Sequence, residues 1–434
     1  MTPILCIRVY TVLLKMKISR IALILALLLT ATAPVVAQNG TMTPYSAYGV
    51  GILRDRATSI QRAMGGVGYA MNSGRQINAM NPASYAAIDT LTFLFDMGID
   101  LTAMWQTEKQ NGELIKDKDF GGGLDYVTMQ FPLGKYMGGS VGLVPYSSVG
   151  YSFGSQIDNG IDSRQGSGSL NELYLGVAGR PFKGFTVGAN ISYLFGTVLN
   201  ETYAVLSSQQ SALFQKQMIV RDYRLTFGAQ YFFSPVAGDR LTLGLTYTPG
   251  KTLLGTGRQV YLDTALDEYK PQFSDEHKLK GNYSLPETWG AGINYQFGRE
   301  VMVEFDYTFQ PWSKAKYRYT EENEHLQSYA DRSKYALGIQ YVPNFRGSYF
   351  KRVNYRLGAY WADDYLKLRG NQLREYGITA GFGFPVPEFK TTINLGFEWL
   401  HRQAHPNPLI KENYLNITIG VNFNEMWFRQ SKIY

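Results

Sequence analysis

Thr392-Ile393-Asn394-Leu395-Gly396-Phe397-Glu398-Trp399 is followed, after a polar break, by Asn413-Tyr414-Leu415-Asn416-Ile417-Thr418-Ile419-Gly420-Val421-Asn422-Phe423-Asn424. Ile393, Leu395, Phe397 and Trp399 share one face, and Leu415, Ile417, Ile419, Val421 and Phe423 share another. The intervening positions hold Thr, Asn, Gly and Glu. A period of two is the signature of a strand with unlike faces. The small and amide residues suit a crowded or wet interior. The apolar faces, with aromatics near their ends, suit lipid bordered by an interfacial girdle. A water-soluble sandwich shows the same alternation, so the rest of the chain has to decide.

Working outward, the alternation recurs at 91–101, 127–133, 140–153, 173–177, 185–195, 223–233, 241–247, 289–297, 301–309, 335–341, 355–361 and 376–384. With the opening pair this makes about 14 strands, an even number. The connections sort by length. Links following odd strands are long and polar, as at 106–119, 252–284 and 312–332. Links following even strands are short, as at 134–136, 181–184, 234–239, 298–300 and 385–390; the one at 342–352 is the least short. Short turns at one end and long loops at the other are the habit of outer-membrane barrels. In lipid every backbone polar group must be paired, and strands achieve that only in a closed sheet. The expected fold is an all-β membrane protein, a transmembrane antiparallel β-barrel of about 14 strands with an N-terminal plug (hatch) segment.

The chain has 434 residues, with 32 Tyr, 45 Gly and a formal charge of +7. Lys15, Lys17 and Arg20 precede the apolar run 21–29, and Val35-Val36-Ala37 ends in small residues. This reads as a Sec signal peptide over 1–37, cleaved near Ala37, with Met1 or Met16 as the start. Losing Arg8, Lys15, Lys17 and Arg20 lowers the charge from +7 to +3. A nucleic-acid partner therefore loses its electrostatic support. Cys6, the one cysteine, leaves with the signal. Residues 38–89 form the expected plug, rich in Gly, Asn and small residues and lacking period two. Residues 90–428 form the barrel, and 429–434 a basic periplasmic tail. The expected location is a bacterial outer membrane.

Catalysis is not expected. His277 and His325 fall in long links, and His401 and His405 lie where strand thirteen should give way to a loop. Gly138-Gly139-Ser140-Val141-Gly142 and Gly150-Tyr151-Ser152-Phe153-Gly154 have the Gly-x-Ser-x-Gly spacing, but both serines fall in the expected third strand and lead into no helix, so no nucleophile turn is visible, and Pro406 and Pro408 oppose a helical metal pair. Gly66-x-Gly68 lacks the strand and helix that a dinucleotide site requires, so no cofactor or metal is expected.

Several pieces together resemble the FadL-type outer-membrane transporter family for hydrophobic compounds. Asn81-Pro82-Ala83, just before strand one, is similar to that family's plug motif. Leu285-Pro286-Glu287-Thr288-Trp289-Gly290 and Asp306-Tyr307-Thr308 are similar to its mid-barrel strands. The resemblance spans nearly the whole mature chain. It implies passive uptake: a fatty-acid-like ligand enters from outer loops and leaves sideways through an interruption in strand three. The matching stretch is Pro145, Tyr146, Ser147, Ser148 and Gly150. Proline cannot donate to a sheet ladder, so Pro145 calls for either a bulge or a gap. Asp96, Asp100, Arg224, Glu304, Asp306, Arg356 and Glu398 face inward, either tying the plug to the wall or meeting a ligand headgroup. Such a charged lumen is also compatible with the alternative, a non-transporting barrel that serves as a structural subunit of an outer-membrane assembly or secretion complex. Expected partners are membrane lipid, a hydrophobic small molecule or detergent, and other envelope proteins.

Overall fold

The computed structural model describes residues 43–110, 113–157, 160–206, 211–263, 273–317, 327–387 and 390–426. The expected signal peptide, His325 and the basic tail lie outside them. Fourteen antiparallel strands form the wall. They are β1 (Thr92–Gln110), β2 (Glu113–Gly134), β3 (Met137–Ile157), β4 (Gly160–Phe182), β5 (Phe185–Leu206) and β6 (Ser211–Phe233). Next come β7 (Arg240–Thr248 with Gly255–Asp263), β8 (Phe273–Lys278 with Thr288–Phe297), β9 (Val301–Gln310) and β10 (Gln327–Tyr329 with Arg332–Tyr341). The wall ends with β11 (Asn354–Leu368), β12 (Asn371–Pro385), β13 (Thr392–His405) and β14 (Ile410–Met426). β14 pairs back onto β1 from Thr92↔Met426 to Glu108↔Ile410, which closes the sheet. Among the described residues no helix is long and apolar enough to cross a membrane.

Alternation sorts the side chains as the sequence implies. Leu175, Leu245, Leu357 and Ile378 stand exposed on the outside, while Thr128, Asn190, Glu304 and Thr379 are buried inside. On β8, Trp289 and Phe297 bracket Ile293, all three exposed. They lie about 26 Å apart along the strand, or about 20 Å across a membrane at the usual barrel tilt. An exterior this greasy is stable only in lipid.

Two expectations need correction. Several links read as loops are continuations of strands. β1 and β2 stay paired out to Gln110↔Glu113, so 106–110 and 113–119, expected as loop, are strand. Within 252–284, Gly255–Asp263 pairs with Phe273–Lys278. Beyond the bilayer both faces of a hairpin meet water, so apolar alternation ends while the hydrogen-bond ladder goes on. For the same reason His277, His401 and His405 sit on strands rather than in loops.

Candidate functional site: the filled lumen and the β2–β3 seam

Residues 43–91 run inside the barrel. Their elements are short: Pro44–Ala47, Ile52–Leu53, Ser59–Arg62 and Pro82–Ala87. Gly, Asn and small side chains make them poor at nucleating longer helices or strands. They are held instead by what surrounds them. Asn81 caps the Pro82–Ala87 turn by accepting from the Ala83 amide at 3.0 Å, and it donates to the Tyr69 carbonyl at 2.6 Å. Pro82 fills the first helical position, where no amide is needed. Wall glycines let this backbone come close. A Cβ on Gly188 would lie 2.6 Å from the Pro82 carbonyl, and one on Gly244 would lie 2.0 Å from the Tyr69 carbonyl oxygen.

Ion pairs and amide contacts fix the segment to the wall. Arg54 bonds Asp100 at 2.8 Å and Asp125 at 3.1 Å, and Arg62 bonds Asp125 at 2.9 Å. Arg56 and Arg224 share Glu172, and Lys334 holds Asp55. Asp306 accepts the Gly68 and Tyr69 amides at 2.7 and 2.9 Å, and Glu304 accepts the Ala70 amide at 2.9 Å. Both carboxylates are buried, where an unpaired charge would be costly. Toward the long-hairpin end the lumen is capped by apolar and aromatic side chains. Trp312 lies against Tyr365, ring centroids 4.3 Å apart, in one cluster with Tyr45, Val50, Ile52 and Tyr283. The Tyr365 and Tyr317 hydroxyls donate to the Gly51 and Gly49 carbonyls, each at 2.6 Å.

Among the described residues the lumen includes two cavities, of about 120 and 90 Å³. Arg54, Asp55 and Arg332 line both. Lys334, Glu375 and Arg402 line the larger, and Thr226, Thr246, Thr288 and Thr308 the smaller. Among the described residues no cluster of three His, Cys, Asp or Glu could hold a metal.

The inward-facing charged residues read from the sequence all face the lumen. Asp100, Glu304 and Asp306 bind residues 43–91 directly, and Arg224 does so through Glu172. Asp96 accepts from the Tyr126 hydroxyl at 2.7 Å, and that hydroxyl also meets Ser59. Arg356 and Glu398 bond wall residues instead: Arg356 to Gln340 and Asn394, Glu398 to Tyr360 and Asn416. Arg54, Arg56, Asp125 and Glu172 were not singled out. The run Arg54-Asp55-Arg56, charged amid small residues, was the available signal. Asp125 was masked by a bulge at Gly98/Ile99, which turns both Asp125 and Tyr126 inward.

Strand three carries the second candidate stretch. β3 is continuous and pairs with β4 throughout, with a register shift at Pro145/Ser147 that leaves Tyr146 as the extra residue. Its ladder to β2 is short, running only from Gly134↔Met137 to Val127↔Leu143. Beyond that, among the described residues, β2 is paired only to β1, and within the wall β3 is paired only to β4, leaving a seam. Residues 43–54 dress the β3 side of it. Ile52 and Leu53 pair with Ser148 and Ser147 as a two-residue strand. Thr43 donates to the Gly150 carbonyl at 2.7 Å, and Arg54 to the Tyr146 carbonyl at 2.9 Å.

A closed 14-stranded wall around an inserted N-terminal segment is the architecture of FadL-type outer-membrane barrels. Solved structures agree. The Ralstonia pickettii toluene transporter TbuX superposes with a TM-score of 0.59 at 15% identity, covering 85% of this chain and 98% of its own. The Pseudomonas putida toluene transporter TodX gives 0.59 at 15% identity, over 87% and 100%. A Pseudomonas aeruginosa FadL homologue gives 0.58 at 11%, over 86% and 99%. At these identities the likeness is one of fold. The BamG family model matches residues 17–434, and the chain belongs to the BamG family. No curated protein matches the sequence.

Proposed function

We propose that the protein is a closed barrel acting as a structural subunit of an outer-membrane protein assembly. The observation that carries this is the filled lumen. Pockets for hydrophobic ligands are mostly apolar and about 300–1,000 Å³, whereas the two cavities described above are about 120 and 90 Å³ and set arginine, acid and threonine among their apolar side chains. The BamG family name points the same way. In this reading residues 1–37 are an export signal cleaved near Ala37, 38–89 the plug, 90–428 the wall and 429–434 a periplasmic tail. Affinity purification after mild solubilisation tests it. The expected result is stable, stoichiometric recovery with other envelope proteins; a monodisperse monomer contradicts it.

A second reading, passive uptake of a hydrophobic small molecule with sideways exit, is favoured by the β2–β3 seam and by the fold of the hydrocarbon channels. There Pro145, Tyr146, Ser147, Ser148 and Gly150 would border the exit, and Asn81, Pro82 and Ala83 would anchor the plug. It requires an amphiphile bound between segment and wall. Native mass spectrometry without such a ligand, together with uptake unchanged on deletion, rules it out.

A further inference from the structure

The β2 edge of the seam is built differently from the β3 edge, and the difference has chemical meaning. The β2–β3 ladder occupies residues 127–134 of β2. That is about 23 Å of strand and about 18 Å of membrane depth, short of the ~25 Å apolar band of such barrels. The seam therefore opens inside that band, where free amides and carbonyls are expensive, and Gly121–Leu124 follows at its outer margin. On the β3 side, residues 43–54 supply partners for Tyr146 through Gly150. On the β2 side the chain protects itself only in part. The Lys118 amide donates to the Asp117 carboxylate at 2.8 Å, and the Phe120 amide to the Asp119 carboxylate at 2.7 Å. These two amides point away from β1, so by alternation those of Gly122 and Leu124 do as well. Among the described residues neither of the latter meets an acceptor.

The unguarded stretch is Gly121-Gly122-Gly123-Leu124. Its glycines carry nothing to obstruct an approaching backbone, and a Cβ on Gly123 would meet no atom within 4 Å. Phe120 and Leu124 flank it with 67% and 59% of their surface exposed. Charged side chains and proline are the usual guards of a free edge, and this stretch has neither, though Asp117 and Asp119 guard the positions just before it. The same seam already takes one strand, Ile52–Leu53, by backbone pairing on its opposite edge.

We propose that the Gly121–Leu124 edge of β2 is a docking site for an extended segment of a partner polypeptide, which adds to the wall as a strand. The occupant is an extended chain because only a backbone offers donors and acceptors at the spacing of a sheet edge. Phe120 and Leu124 would seat apolar side chains of that segment on alternate positions. This inference rests on the subunit reading above and names the surface through which it would act.

The test places a benzophenone amino acid at Phe120 or Leu124 in the full-length protein in its native membrane, with Leu175 of β4 and Leu357 of β11 as lipid-facing controls. The expected result is adducts from 120 and 124 mapping four residues apart in one segment of one partner, with none from the controls. Leu124→Pro removes an unpaired amide without touching the β1 ladder. It should abolish the Phe120 adduct while the barrel keeps its heat-modifiable electrophoretic mobility. Adducts to lipid alone, or a protein adduct that survives Leu124→Pro, overturn the docking site. Should Leu124→Pro fail to fold, Gly123→Lys, which has room for its side chain, serves the same purpose. If the wild type co-purifies with partners but the edge is silent, the docking site fails and the subunit reading stands. If no partner co-purifies, the subunit reading itself fails.

Discussion

Asp306 accepts two backbone amides of the inserted segment, and nothing else in reach replaces it at Gly68 and Tyr69. Asp306→Ala leaves both amides buried without partners, at about 1–3 kcal/mol each. We expect amide hydrogen exchange across 64–72 to rise steeply while exchange in β13 and β14 is unchanged; equal exchange in both variants would show the contacts to be idle. Asp55 supplies a pH-dependent counterpart. Burial acts to raise its carboxyl, but the Lys334 ammonium and Arg332 guanidinium outweigh burial and hold it at about 2. A carboxyl depressed on docking stabilises the docked state above its free value and surrenders that stability as pH falls through the docked value. Attachment of residues 53–56 should therefore hold above about pH 4, near the free Asp value, and weaken between there and about 2. Protease accessibility of the segment measures this, and Lys334→Met, which leaves Arg332 in place, should weaken the dependence.

At the scale of elements, the wall glycines set how closely the segment can sit. Gly244→Val would drive a Cβ into the Tyr69 carbonyl, whereas Gly123→Val meets open space. We expect the first to expose 68–71 to exchange and the second to leave the segment undisturbed; equal behaviour would mean that the close approach is unimportant. What could be read from sequence at this scale follows from the solvent on each face. β13 and β14 were legible because lipid on one side and a packed lumen on the other enforce alternation. The outer halves of β1, β2, β7 and β8 were not, since water bathes both faces there and the ladder alone maintains the strand. The seam was beyond reach for another reason: pairing partners are a non-local property, and Pro145 signals an irregularity without saying which neighbour is lost. Ile52–Leu53, two residues long, carries no period at all.

For the whole molecule, closure and filling act together. The wall could be inferred from its strand count and sorted connections, and the filling from an N-terminal segment too small and too polar to fold alone. The arginine–carboxylate lattice that joins them was half visible. Asp100, Glu304 and Asp306 announced themselves by facing inward, whereas Asp125 was hidden by its bulge and Glu172 by lying in the polar outer half of β4. The lattice predicts that charge reversal in the segment is felt across the barrel. Arg56→Glu would set a second carboxylate against Glu172 with Arg224 alone to balance both, and should lower the temperature at which the segment releases without unfolding the wall. Differential exchange on heating reads this out, and simultaneous loss of both would contradict it.

Single-channel conductance in a planar bilayer tests the sealed lumen most directly. The wild-type barrel should insert and stay electrically silent, while a variant lacking residues 43–89 should show steady, ohmic unitary currents. Open-pore currents from the wild type, of the same size as those of the truncated barrel, would contradict the account.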